Sequence, residues 1–121
     1  MKLDTEELQK IIEKIKSYNI PIIVEGIKDK KALEKLGLTN ISTLKKPLYA
    51  VVEAIAKKYT ECIILTDLDP KGKQLYGRLS KDLQKHGVKI NNKLRNFLIK
   101  NTSVSHIEGL ATFLNNQGIH N

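Results

Sequence analysis

Cys62-Ile63-Ile64-Leu65-Thr66-Asp67-Leu68-Asp69-Pro70-Lys71-Gly72 is the stretch from which the rest of this 121-residue chain can be read. Cys62 to Leu65 is a short apolar run of the kind a central strand presents, and the predicted strand extends from Cys62 to Thr66. A helical pattern follows, from about Gly72 to His86. It turns Leu75, Leu79 and Leu83 inward and ends at Gly87. Asp67 and Asp69 therefore stand at the carboxyl end of a strand, where open α/β sheets hold their ligands. Two carboxylates so close repel each other unless a cation lies between them. A second apolar run, Ile22-Ile23-Val24, ends in the same way at Glu25-Gly26. Three carboxylates at two strand ends point to a divalent metal.

Upstream, Leu8, Ile11, Ile12 and Ile15 fall at the spacing of an amphipathic helix, with Asp4 and Glu7 as its start signal. Pro21 opens the first strand. Asp29 can cap a helix from Lys30 to about Leu36, which Gly37 stops. Ile41 to Leu44 is a weakly signalled second strand. Pro47 suits a first helical turn, and Leu48, Val51, Val52 and Ile55 continue it. Beyond the third strand and its helix, Val88 to Ile90 is a fourth strand. Ile90, Leu94, Phe97 and Leu98 fit another helix, Ser103 to His106 a short strand, and Glu108 to Leu114 a last helix.

This alternation predicts an α/β fold: a mostly parallel sheet of about four strands, with helices on both faces and right-handed crossovers. In a doubly wound sheet the first and third strands are often neighbours, and the gap between their ends is the switch point where ligands collect. Glu25 and Asp67, 42 residues apart, should face each other there. Oxygens sharing one magnesium ion lie within roughly 4 Å of each other, a gap that side chains on strands ~4.8 Å apart can close.

The length suits one domain that buries roughly two thirds of its unfolded surface. No run approaches the ~20 apolar residues of a membrane span. Lys2, Asp4, Glu6 and Glu7 make the wrong opening for a signal peptide, so a soluble, cytoplasmic protein without membrane association is expected. Cys62 is alone and reads as a small core residue. The net charge is +8, and from Lys71 onward nine basic residues stand against Asp82 and Glu108. A basic excess that begins beside a carboxylate cluster favours a phosphate-bearing partner through counterion release.

Val24-Glu25-Gly26-x-x-Asp29 and Thr66-Asp67-Leu68-Asp69-x-x-Gly72 resemble the two signatures of the Toprim domain. That domain is shared by type IA and II topoisomerases, DnaG-type primases, OLD-family nucleases, RecR proteins and the ribonuclease that matures bacterial 5S ribosomal RNA. The resemblance spans roughly Ile22 to His106. It looks closest to small stand-alone, primase-like Toprim proteins and to the catalytic part of that ribonuclease. It implies a Rossmann-like Toprim fold over the single domain 1–121, with an N-terminal helix in 1–20, the core in 21–106, and a C-terminal helix and tail in 107–121. It also implies that Glu25 acts as general acid or base, and that Asp67 and Asp69, with Glu25, bind Mg2+, with Mn2+ as the alternative. No domain carrying a topoisomerase's nucleophilic tyrosine is evident, and one cysteine cannot furnish a primase's zinc module.

Lys71 and Lys73 at a helix start, Lys93 and Arg95 after the fourth strand, and His106 are candidate contacts to phosphate or to a nucleic-acid backbone. His106-Ile107-Glu108-Gly109 is similar to a stretch near the end of the nuclease-like relatives' domain. Gly26, Asp29 and Gly72 are expected to support the site. The functional expectation is metal-dependent cleavage of RNA or DNA. Its first rival is a metal-assisted nucleic-acid-binding module within a larger complex, with protein partners. A haloacid-dehalogenase-type phosphatase is the weaker rival, because there Asp-x-Asp normally follows the first strand.

Overall fold

Side chains alternate across a strand, so two adjacent residues of one strand feed two separate cores. Ile22 and Ile63 join the first core, and Ile23 and Ile64 join the second. The computed structural model describes residues 4–116; Lys2 and the end of the expected tail lie outside them. In chain order the elements are α1 (Thr5–Tyr18), β1 (Ile22–Ile23), α2 (Ile27–Glu34), β2 (Ile41–Ser42), α3 (Leu48–Lys58), β3 (Glu61–Ile64), α4 (Pro70–Lys85), β4 (Lys89–Ile90), α5 (Lys93–Asn101) and α6 (Ile107–Asn116).

The strands lie in the order β2-β1-β3-β4 and every pair is parallel. Ile22 pairs with Ile63 and Ile23 with Ile64, so β1 and β3 are neighbours as the apolar runs imply. One face is covered by α1, α2, α5 and α6 through Leu8, Ile12, Leu33, Leu98 and Ile107. The other is covered by α3 and α4 through Val52, Ile55, Leu79 and Leu83. Each such fully buried aliphatic side chain contributes about 1.5–3 kcal/mol relative to exposure. The chain leaves β1 toward β2 on one side and β3 toward β4 on the other. The switch point therefore opens above β1 and β3, at Glu25 and Asp67.

Local signals explain the helix ends. The Asp4 carboxylate accepts the Glu7 N–H, and Gly87, at φ +80°, ends α4 in the left-handed region that costs glycine little. Two expectations are corrected. Asp29 is not the N-cap residue: α2 starts at Ile27 behind Gly26, and Asp29, three residues in, caps from inside the first turn, its Oδ2 accepting the Gly26 N–H at 3.0 Å. Ser103 to His106 forms no strand, because its backbone bonds to the loop after β3 and not to an edge of the sheet. The segment instead crosses over the strand ends, and its Ser105 carbonyl accepts the Leu68 N–H at 2.7 Å.

Cys62 is fully buried in β3, and burial pushes its thiol up to about 12. The folded state thus holds this proton more tightly than the unfolded chain. That contribution is complete below the ordinary thiol pKa and fades as pH climbs toward 12. Native protein at pH 8 should leave a disulfide-forming thiol reagent unconsumed, and denatured protein should react at once. Rapid labelling of the native chain would contradict this packing.

Candidate metal centre

The β3–α4 connection owes its shape to a contact that excludes a side chain. A Cβ placed on Gly72 would lie 1.9 Å from the Asp67 carbonyl oxygen and 2.8 Å from its Cα, inside rigid backbone. Gly72 is also bonded on both sides. Its N–H donates to Asp69 Oδ1 at 2.8 Å, and its carbonyl accepts from the buried Thr66 hydroxyl at 2.6 Å. Asp69 is thus the N-cap of α4, with Pro70 in the first turn.

From α5, Arg95 reaches under the same loop. Its guanidinium donates to the carbonyls of Thr66 at 2.8 Å and Asp67 at 3.2 Å, and its charge lies 4.6 Å from the centre of the Tyr76 ring. Tyr76 in turn donates to Asn92 Oδ1 at 2.7 Å. Only 3 % of Arg95 is exposed. Burial draws its pKa below the ordinary value, while Tyr76, Glu25 and Asp67 pull it back up. The expected surface contact between Arg95 and a nucleic acid is therefore corrected. Its donors are directed to the loop, and it holds the Asp67 carbonyl from beneath.

Glu25, at the end of β1, accepts the Asp67 N–H through Oε2 at 2.8 Å, which closes the switch point. The Asp67 side chain reaches on to α6, where Oδ1 accepts the Ile107 N–H at 2.9 Å. Asp67 therefore caps a helix 40 residues away. Beside that helix start, His106 brings Nε2 to 3.5 Å from Asp69 Oδ2, and its Nδ1 lies 3.1 Å from Ser105 Oγ. One ligand atom each from Asp67, Asp69 and His106 falls within 4.8 Å of the others. Glu25 stands next to this group rather than in it, so the convergent set contains His106 where Glu25 was expected.

The surroundings are acidic. The Asp29 carboxyl is raised above the usual carboxylate range, first by burial and then by the nearby charges of Asp67 and Glu108, against the Gly26 hydrogen bond. Two carboxylates and an imidazole in acidic surroundings fit a divalent cation, whose charge would relieve that repulsion. Lys71 and Lys73 are exposed in the first turn of α4, beside Asp69. Lys93, also exposed, faces α1 and stands apart from the aspartates. Gly26 has ordinary room for a side chain, so sterics do not demand glycine there.

Two structural roles and one contact escaped the sequence reading. Thr66 stands in the second signature without a role assigned to it, and Tyr76 carries no motif that marks it. The cap made by Asp67 on α6 is a contact too distant in sequence for any local pattern to show.

Gly72→Ala is expected to cost about 3 kcal/mol or more, lowering the melting temperature by about 10 °C. An unchanged melt would refute the backbone contact. Asp29→Asn keeps an oxygen for the Gly26 N–H and removes a charge. Because the folded state raises this carboxyl, its ionisation costs stability as pH rises through the folded value. In chelator the variant should melt higher than the parent at pH 7, and the advantage should vanish near pH 4. A lower melt at pH 7 would refute the electrostatic account.

With this geometry in view, known proteins supply the family. The Toprim domain family profile matches residues 20–107. A UPF0292 protein of Methanocaldococcus jannaschii is 38 % identical over 117 residues, covering 91 % of each chain. A UPF0292 protein of Pyrococcus abyssi is 38 % identical over 106 residues, covering 87 % of this chain and 80 % of its own. The solved structure of a protein from Aquifex aeolicus superposes with a TM-score of 0.78 at 32 % identity, over 90 % of this chain and 99 % of that one. The chain belongs to the Toprim domain family.

Proposed function

We propose that this chain is a divalent-metal-dependent enzyme that cleaves phosphodiester bonds in nucleic acid. The observation that carries the reading is the convergence of Asp67, Asp69 and His106 at the β3 end, with the Glu25 carboxylate held against the same loop. A divalent ion at that position would polarise a phosphoryl oxygen and neutralise developing charge. Asp67 and Asp69 would hold it through oxygen, and His106 through nitrogen. The two carboxylates suit Mg2+, and the imidazole favours Mn2+ as well.

Glu25 has one oxygen fixed by the Asp67 N–H, which orients the carboxylate and leaves the other oxygen to move a proton. Lys71 and Lys73 flank the group with positive charge at a helix start, a placement that favours a phosphate. Arg95 and Gly72 hold the loop in shape and do not touch substrate. No helix among the described residues is long and apolar enough to cross a membrane.

The test uses labelled RNA and DNA pools with Mg2+, Mn2+ or chelator. Parent protein should cleave one of them only with metal. Glu25→Gln keeps an acceptor for the Asp67 N–H, so it should retain the metal-induced rise in melting temperature and lose about 10²-fold or more in rate. Asp67→Asn keeps an acceptor for the Ile107 N–H, so it should fold and lose both the metal response and cleavage. Metal-dependent retention of intact nucleic acid would replace the enzyme with a binding module. Turnover confined to small phosphomonoesters would replace it with a phosphatase.

A further inference from the structure

On the flank of the molecule, α1 packs beside α5 and the two leave a groove of 530 Å³ between them. Lys10 and Lys14 line the α1 wall, and Lys93 and Lys100 line the α5 wall, with Asn91 and Asn96 between. All four lysines are exposed. The ion pairs found among the described residues, Lys16–Glu13 and His106–Asp69, involve none of them. Glu7, at one end, is the acid on the lining.

We propose that this groove binds the phosphate backbone of a single nucleic-acid strand. Lys10 and Lys14 lie one helical turn apart, about 6 Å, while Lys93 and Lys100 span about 10 Å, so the two walls present a track of positive charge rather than one point. The axes of packed helices stand about 8–10 Å apart, so one extended strand lying along the groove can meet the lysines of both walls. The apolar lining, Ile11 and Phe97, already belongs to the core. That leaves a protein partner little surface to bury, and it leaves a base no open ring on which to stack. Binding is therefore through phosphate and independent of sequence, with the asparagine amides donating to phosphate oxygens.

The inference rests on nucleic acid being the partner and does not require the metal centre. α5 joins the two sites, because it carries Arg95 under the Asp67 carbonyl and Lys93 and Lys100 on the groove. A strand lying in the groove would pass within about one helix diameter, 10–12 Å, of that loop.

The test is anisotropy of a short labelled single-stranded oligonucleotide of mixed sequence, in chelator, over a salt series. The variant K10Q/K14Q/K93Q/K100Q should bind about tenfold or more weakly than the parent, with the slope of log affinity against log salt reduced by about 3. The variant K45Q/K46Q/K57Q/K58Q makes the same charge change on and beside α3 and should bind like the parent. Because this assay runs in chelator and reads binding alone, its outcome is independent of metal-dependent cleavage, which separates a failure here from a failure of the cleavage reading. Equal losses in the groove and control variants would overturn the proposal, as would a groove variant that binds like the parent. Labelled polyglutamate bound as tightly as the oligonucleotide would overturn it too.

Discussion

The Asp67 backbone lies so close to Gly72 that no side chain fits between them, and the arrangement above the sheet depends on that contact. It forces the chain leaving β3 into a tight turn, which the Thr66 hydroxyl and the Arg95 guanidinium then brace from below. Shaped this way, the turn sends one aspartate to the start of α4 and the other to the start of α6. The Asp67 N–H is left to meet Glu25 from β1. A single loop thereby ties β1, β3, α4, α5 and α6 together. The same carboxylates that make these joints are the ones placed to hold a cation. Carboxylates brought this close repel one another, and an ion shared between them relieves that repulsion.

Much of this was legible from residue types and spacing. Apolar runs at Ile22–Val24 and Cys62–Leu65, each with a helical pattern after it, suffice to predict parallel strands. The parallel sheet then makes β1 and β3 neighbours, and the meeting of Glu25 with Asp67 follows from strand order alone. What stayed hidden is non-local. Arg95 reads as one more surface cation because sequence does not show burial, although Leu94, Phe97 and Leu98 around it hint that it lies on an inward face. Asp29 looks like a cap because aspartate caps well, yet Gly26 starts the helix earlier and takes the Asp29 carboxylate on its own N–H. His106 passes for a phosphate contact until the connection after α5 folds over the strand ends and sets it beside Asp69.

The metal centre and the lysine groove use opposite physics on two sides of one helix. At the centre, charges of one sign are crowded together and held by backbone hydrogen bonds, so a small hard ion is favoured. In the groove, charges of the other sign are spread along two walls and left in water, so a flexible polyanion gains by releasing counterions. α5 separates the two, and the burial of Arg95 gives it a fixed rotation about its axis. That rotation is what points Lys93 and Lys100 away from the aspartates and toward α1.

Electron paramagnetic resonance of Mn2+ titrated into the protein addresses the centre most directly, because spin-echo modulation reports a nitrogen bound to the ion. One Mn2+ per chain is expected, with a nitrogen coupling that disappears in His106→Ala and with no binding in Asp67→Asn. A parent protein that takes up no Mn2+, or binds it without nitrogen coupling, would contradict the assignment of Asp67, Asp69 and His106 to one ion.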